Sequence, residues 1–548
     1  MNLRSNVKMT KDPKAPAKPH SVLRSAAGMS LATLLSRIFG MVRDMVMAAL
    51  FPRMVTDAYV VAFRLPNLFR RILGEGSLAA SFIPLYVESL SRDEAAGKLQ
   101  AAESESKAFS SAVFSMLTTL TATLSVLGVI FMPWIMSHLV GGEGYMQVPG
   151  KFELTVFLAR IMFGYLFLVT TYAFYMSMAN AHKIFFIPAL APAAFNLITI
   201  IFAFFPTWYQ EGDQLAWGVM AGGVVQLLMA ISPLKSLRVI PRLTTHWLVK
   251  NVPRFFTIVL PSMLGMSVAQ LLGILNVSFA SRLGQGTHSY IYFADRLLEF
   301  PQSLLSVSLG VALLPTLSEL WVKGKKEEFL ASTQRYARLL MVLSLPSAVG
   351  LYVLAEPIVR VIFGRGEFVA ADISATAQVV MIYSFVLVVS GLHRVTVPAF
   401  YAVKNTWLPA ANSAFCLVVH YFVASWATDT YGLLGLVGAT AFTGSLNLGI
   451  LLISYRLILG PVGVVSFMQS AIWLTPSLVV MGIVAYSVNY YFLKFLSDIS
   501  SISAVSSILA LSAALVAAIV AFFGVNIMLK HPESREISQL LLRRLKRS

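Results

Sequence analysis

Residues 36–76 read SRIFGMVRDMVMAALFPRMVTDAYVVAFRLPNLFRRILGEG. The stretch falls within two segments apolar enough to cross a membrane. It nevertheless carries Arg37, Arg43, Arg53, Arg64, Arg70 and Arg71 against Asp44, Asp57 and Glu75. Six guanidiniums, three carboxylates and no lysine leave a local charge of +3. A charge at bilayer depth costs roughly 2.5–3.5 kcal/mol on insertion scales, so four of them facing lipid would cost on the order of 10 kcal/mol. They are expected instead to face an internal, hydrated cavity, and a cavity lined by guanidiniums is expected to hold an anion.

The surrounding chain has 548 residues, 57% hydrophobic and 12% charged, with a mean hydropathy of +0.75. Soluble domains run about 25% charged, so the chain reads as an all-α integral membrane protein. Apolar runs of about twenty residues recur along it, whereas the alternating strands of a transmembrane barrel do not. Fourteen crossings are expected, at 25–50, 56–90, 108–138, 153–180, 184–206, 214–236, 253–282, 288–321, 336–363, 373–401, 406–427, 431–458, 466–493 and 501–529. Residues 1–24 and 530–548 read as basic cytoplasmic tails, the first disordered and preceding a retained helix rather than forming a signal peptide.

Charge placement sets the expected topology. The loop after the sixth segment holds Lys235, Arg238, Arg242, Lys250 and Arg254, and the loop after the eighth holds Lys323, Lys325, Lys326 and Arg335. Loops on the other side are poor in basic residues. An even number of crossings puts both termini on the basic face, which the positive-inside rule makes cytoplasmic. The net charge of +17 is thereby assigned to topology and not to nucleic acid.

The segments also repeat. At an offset of 231, Thr56, Tyr59, Leu73, Ser77, Leu78, Pro84 and Glu88 match Thr287, Tyr290, Leu304, Ser308, Leu309, Pro315 and Glu319. The region around Pro133 resembles that around Pro357, and IPALAPAAFNL from Ile187 resembles LPAANSAFCL from Leu408. Two pseudo-symmetric six-helix lobes are expected, 25–236 and 237–458, with two further helices in 459–529.

On a helical wheel, Thr33, Ser36, Arg37, Gly40, Arg43 and Asp44 share one stripe of the first segment. In the second, Asp57, Arg64, Asn67, Arg71 and Glu75 share a face with Arg70 at its edge, and Pro66, Gly74 and Gly76 are candidate weak points. Arginine offers a planar fork that stays charged when desolvated and matches phosphate oxygens, as a diphosphate head group requires. The competing reading is that these arginines pair with Asp44, Asp57 and Glu75 to tie helices together. Arg53 is placed at the membrane surface, snorkelling. The second lobe carries a smaller cluster in YFADRLLEFP, residues 292–301: Asp295, Arg296 and Glu299. It reads equally as a clamp or as a further anion contact through Arg296. His393 and Arg394 are weaker candidates. The eight histidines show no paired ligand spacing, so no metal site is expected, and no cofactor motif is found.

At SRIFGMVRD, TDAYVVAFRLPNLFRRILGEG and YFADRLLEFP the sequence closely resembles the MurJ/MviN family of lipid II flippases, over about residues 22–530. The resemblance implies a bacterial inner-membrane protein of the multidrug/oligosaccharidyl-lipid/polysaccharide exporter superfamily. Such a protein moves undecaprenyl-diphosphate-linked peptidoglycan precursor from the inner to the outer leaflet by alternating access. By motif position it implies roles for Ser36, Arg37, Arg43, Asp44, Asp57, the Arg70–Arg71 pair and Arg296, with Arg64 where relatives carry lysine. It further implies that 459–529 forms a groove for the lipid tail, with lipid II and membrane lipids as partners; cell-wall synthases are further candidates. Sodium binding through carboxylates, known for some members, is not expected. The seventh, eleventh and twelfth segments carry Asn276, Asn412 and Thr443 but no acid. The alternatives are a flippase for another polyprenyl-diphosphate oligosaccharide and a cation-coupled multidrug exporter. The driving force is left open.

Overall fold

The structure is a computed structural model that describes residues 19–72, 78–98, 104–461, 463–499 and 503–529. Every regular element in these ranges is a helix. In order they are α1 (Pro19–Leu50), α2 (Arg53–Phe69), α3 (Leu78–Ala95), α4 (Glu105–Ile130), α5 (Met132–Val140), α6 (Glu143–Met146), α7 (Lys151–Phe163), α8 (Tyr165–Ala181) and α9 (Phe186–Ala203). They continue with α10 (Asp213–Leu237), α11 (Val252–Ala280), α12 (Thr287–Val322), α13 (Lys326–Val353), α14 (Ala355–Phe363), α15 (Ala370–Ala402), α16 (Trp407–Ile458), α17 (Val464–Ile499) and α18 (Ser503–Met528). Glu75, Gly74, Gly76 and the two terminal tails lie outside the described residues, except that α1 begins at Pro19, ahead of the expected residue 25.

Several expected segments are broken for local reasons. The segment 108–138 divides at Phe131, where Pro133 opens α5. Pro lacks an N–H and is accommodated best in the first turn of a helix. The segment 336–363 divides in the same way at Leu354, two residues before Glu356 and Pro357. Both breaks lead into nine-residue helices, α5 and α14, so the matched regions around Pro133 and Pro357 adopt the same form. The segment 153–180 divides at Gly164 into α7 and α8. Conversely, 406–427 and 431–458 join as α16, which reverses at Gly432 (φ 61°, ψ −135°), a conformation only glycine adopts freely.

Among the described residues, nine helices are long and apolar enough to cross a membrane, counting α7 with α8 as one and the folded α16 as one. The other expected crossings fall on α1, α2 with α3, α11 and α12. Three of these four carry the charges discussed above, which lower their hydropathy.

Helices α1–α10 pack chiefly among themselves, as do α11–α16; α17 and α18 pair with each other and against α13. In the first bundle, Gly218 and Gly222 of α10 let the backbone of α9 approach closely: a Cβ at Gly222 would stand 2.9 Å from Phe195 O. This is the small-residue packing favoured where lipid supplies no hydrophobic drive between helices. Helix α2 is enclosed, with every residue from Val55 to Phe63 buried. Its Tyr59 and Phe63 stack at 5.9 Å, and Phe63 continues into Tyr165 and Phe195. Polar side chains at the ends of so buried a helix must find partners inside the protein. Those partners form the site.

Candidate functional site

Three fully buried carboxylates join the two bundles, and each is paired with groups from the bundle opposite. The innermost is Asp44 on α1, which is fully buried beside the nearly buried Arg43. Arg43 Nη2 and Nε donate to Asp44 Oδ1 at 2.8 and 3.1 Å, and Nη1 donates to Asn196 Oδ1 of α9 at 3.0 Å. From the other bundle comes Tyr292 of α12. Its hydroxyl donates to Asp44 Oδ1 at 3.0 Å and accepts from Arg43 Nη2 at 2.9 Å and Arg296 Nη2 at 3.0 Å. One hydrogen and two lone pairs are thus all used. Arg296 Nε lies 3.0 Å from Asp44 Oδ2, but neither atom makes an aligned hydrogen bond.

Arg296 also donates to Glu299 Oε2 at 2.9 Å, one turn on, and Glu299 Oε1 lies 3.5 Å from Arg71 Nη2 of the first bundle. Arg71 thus reaches across; Arg70 donates to Asn67 Oδ1 at 2.9 Å and lies close to Tyr172 of α8. Arg71 Nε is buried without an acceptor among the described residues. Arg64 lies near Asp295 and rests on α11, where a Cβ at Gly273 would stand 1.9 Å from its Nη2. Arg37 is exposed and makes no hydrogen bond or ion pair among the described residues. The expected α1 stripe is therefore split: Arg43 and Asp44 are in the interface and Arg37 is outside it. Ser36 contributes its carbonyl, which accepts from Asn196 Nδ2 at 3.1 Å.

The second carboxylate is Asp57 near the start of α2. Its Oδ2 accepts from the fully buried Lys151 Nζ at 2.7 Å and from Gly286 N at 2.7 Å. Its Oδ1 accepts from Ser289 N at 2.9 Å and Ser289 Oγ at 2.7 Å. Gly286 and Ser289 open α12, so Asp57 of one bundle caps a helix of the other with a charge that the helix dipole favours. Ser289 Oγ also lies 2.9 Å from Thr56 Oγ1, so the matched starts of α2 and α12 are in contact.

The third is Asp372 at the start of α15, which the sequence reading did not single out. Its Oδ1 lies 2.6 Å from Arg53 Nε of α2 and accepts from Tyr290 OH at 2.7 Å. Arg53, expected at the membrane surface, is the first bundle's half of this ion pair, with its side chain 37% exposed. Lys151 and Asn196 were missed as well. Lys151 follows Gly150 (φ 75°) at a helix start and looks in sequence like any loop lysine.

Backbone contacts accompany Asp57 and Asp372 at this end of the molecule, the end away from the basic loops. Tyr145 N donates to Ser281 O at 2.8 Å, and Glu367 N donates to Ala49 O at 3.0 Å. A Cβ at Gly144 would stand 2.1 Å from Leu283 O, and one at Gly366 2.0 Å from Ala49 O. At the basic end, Asn251 and Arg254 reach Ser89 and Glu88 of α3 at 2.9 and 3.2 Å. Among the described residues, no three His, Cys, Asp or Glu side chains gather as metal ligands.

Two helical bundles joined by polar contacts across a buried interface are the architecture of a polytopic membrane protein. The sequence model described as lipid II flippase MurJ matches residues 46–507. A probable lipid II flippase MurJ of Bdellovibrio bacteriovorus is 42% identical over 418 residues, 76% of this chain and 78% of that one. The lipid II flippase MurJ of Burkholderia cenocepacia is 33% identical over 448 residues, 80% and 84% of the two chains. The chain belongs to the MurJ family of lipid II flippases. Its fold is shared with a solved lipid II flippase MurJ in an inward closed conformation (TM-score 0.72, 22% identity, 91% and 99% of the chains covered). It is also shared with an inward-facing multidrug transporter of the MATE family (TM-score 0.63, 14% identity, 79% and 98% covered).

Proposed function

We propose that this protein moves lipid II from the inner to the outer leaflet of a bacterial cytoplasmic membrane, with its diphosphate held by Arg43, Arg64, Arg71 and Arg296. The observation that carries this reading is the convergence of guanidiniums from both bundles on too few carboxylates. Arg43, Arg71 and Arg296 share Asp44 and Glu299, and Arg71 Nε and Arg296 Nε are buried donors without hydrogen-bond acceptors. A diphosphate would satisfy such donors and displace the bridging carboxylates. The charge-assisted bonds lost to Asp44 and Glu299 would be replaced by comparable bonds to phosphate oxygens. Ion pairs that differ between states let a ligand shift the balance between them.

The basic loops support a cytoplasmic location for both termini, which makes the Asp57 and Asp372 contacts the outer gate, closed here. The division into lobes 25–236 and 237–458 belongs to the same proposal: each would move as a unit about the shared interface. Helices α17 and α18, within 459–529, would guide the polyprenyl tail. Two shallow apolar depressions on them, of about 400 and 420 Å³, support that role; one is lined by Tyr352, Met381, Ile483 and Tyr486, the other by Val488, Tyr491, Phe495 and Ala513.

The test is lipid II translocation in proteoliposomes containing wild type or Arg43→Ala at matched levels. The reading expects loss of translocation with the fold retained, and equal rates would overturn it. Equal movement of a different polyprenyl-diphosphate glycan would leave the arginine site standing and replace the substrate.

A further inference from the structure

Carboxylates do not account for every guanidinium of the second bundle. Arg282, Arg296 and Arg360 each hold one. Arg394 of α15 does not: it is exposed and makes no hydrogen bond or ion pair among the described residues. It nevertheless lies inside a helix long and apolar enough to cross a membrane, two turns before that helix ends at Ala402. By helical rise the end is about 12 Å away. A guanidinium at such a depth is costly against lipid and is expected to serve a polar space or a partner.

Helix geometry gives its direction. Tyr383 is buried on the α12 side of α15, close to Asp295 and Arg64. Ser390 is on the same side, where its Oγ accepts from Gln302 Nε2 of α12 at 3.4 Å. At about 100° per residue, Arg394 falls within about 40° of both. Phe385, which is 55% exposed, falls half a revolution away. The apolar exposed side of α15 is therefore the opposite one, and Arg394 belongs to the face turned toward α12 and the arginine site.

The same count sets its depth. Tyr383 marks the level of Arg64 and Asp295, and Arg394 stands three turns, about 16 Å, nearer the basic end. On the first bundle, Arg37 stands two turns, about 10 Å, inward of Asp44 on the same side of α1. It too is exposed and unpaired among the described residues. Guanidiniums from opposite bundles thus lie beyond the place assigned to the diphosphate, each open to an incoming anion.

Lipid II carries anions at that distance. Its peptide arm hangs from the sugar next to the diphosphate and ends in a carboxylate. An extended peptide spans about 3.3 Å per residue, so a few residues beyond the sugar cover the interval. A carboxylate matches the guanidinium fork as a phosphate does. A glycan lipid without a peptide has no anion to place there.

We infer that Arg394 is a specificity-determining residue: it pairs with a carboxylate of the substrate's peptide arm and so favours lipid II over a peptide-free polyprenyl-diphosphate glycan. The inference deepens the transport reading and rests on it. The test is translocation in proteoliposomes of lipid II and of an analogue with the same tail, diphosphate and disaccharide but no peptide. Wild type is expected to move lipid II several-fold faster than the analogue, and Arg394→Gln is expected to lose that preference. If Arg394→Gln does not fold, Arg394→Lys, which keeps the charge and loses the fork, is expected to reduce it. Wild type moving both probes alike, or a folded variant with the wild-type preference, would overturn the inference.

Lipid II amidated at its peptide carboxylates separates charge from bulk. Wild type is expected to move it as slowly as the analogue, and movement at the lipid II rate would overturn the pairing. If wild type moves none of the probes, the transport reading fails and binding decides the contact. Native mass spectrometry of the full chain in detergent is then expected to show wild type, but not Arg394→Gln, retaining lipid II over its amidated form. Equal retention of the two by wild type would overturn the contact.

Discussion

At the scale of single residues, the arginines and the acids among them were legible because charge is conspicuous against an apolar background; Lys151 and Asp372 were not. Lys151 and Asp372 sit at helix starts, where a charged residue is commonplace, and only the folded chain shows that both are buried. Asp57 makes the consequence measurable. It carries four donors, one of them a lysine with no exposure to water. Asp57→Asn would leave Lys151 charged, buried and poorly compensated, a loss of about 3–5 kcal/mol for a broken buried pair. Lys151→Met is expected to cost less, because Asp57 keeps its three donors from α12. Joining the two substitutions should recover part of the Asp57→Asn loss. Thermal unfolding of the four proteins in detergent measures the cycle; strict additivity would show that the two side chains do not interact. The stripe drawn on α1 could not show that Arg43 and Asp44 pair with each other, because neighbours at i and i+1 do not face one another on a helix.

At the scale of elements, the helices were legible from hydropathy and their breaks were not. Nothing in an apolar run distinguishes a proline that opens a new helix, as Pro133 does, from one carried inside, as Pro192 and Pro346 are. The turns that meet at the end away from the basic loops depend on glycine in the same hidden way. A methyl group at Gly144 would overlap the backbone of Leu283, which has no flexible end to yield. Gly144→Ala is therefore expected to part the α5–α6 turn from the α11–α12 turn. Cysteines placed there should then label faster from outside, and an unchanged labelling rate would show that the contact yields locally. At the other end of the bundle, Asp93 closes α3 onto α4. Burial would raise its pKa. Hydrogen bonds from Ser104 Oγ (2.6 Å) and from the Ser106 and Glu105 amides (both 2.9 Å) instead hold it down to about 2. A depressed carboxylate contributes stability that is fully present above the unfolded pKa, about 4, and lost as pH falls through the folded value. Stability is expected to fall from about pH 4 to about pH 2 with an Asp93 share that Asp93→Asn removes; parallel wild-type and variant profiles would contradict it.

At the scale of the whole molecule, the internal repeat is visible in the form of the elements as well as in sequence. Broken α4–α5 and α13–α14 occupy matching places, and so do the starts of α2 and α12, which touch through Thr56 and Ser289. The state shown has its contacts made at the end away from the basic loops and its guanidiniums shared among scarce carboxylates. Under the transport proposal, an incoming diphosphate would compete with those carboxylates. The measurement that tests this most directly is outer-leaflet exposure of lipid II in proteoliposomes, comparing wild type, Arg43→Ala and Arg296→Ala at equal incorporation. Translocation by wild type and its loss in both variants, with unfolding temperatures close to wild type, is the predicted result. Translocation at the wild-type rate by either folded variant would contradict it.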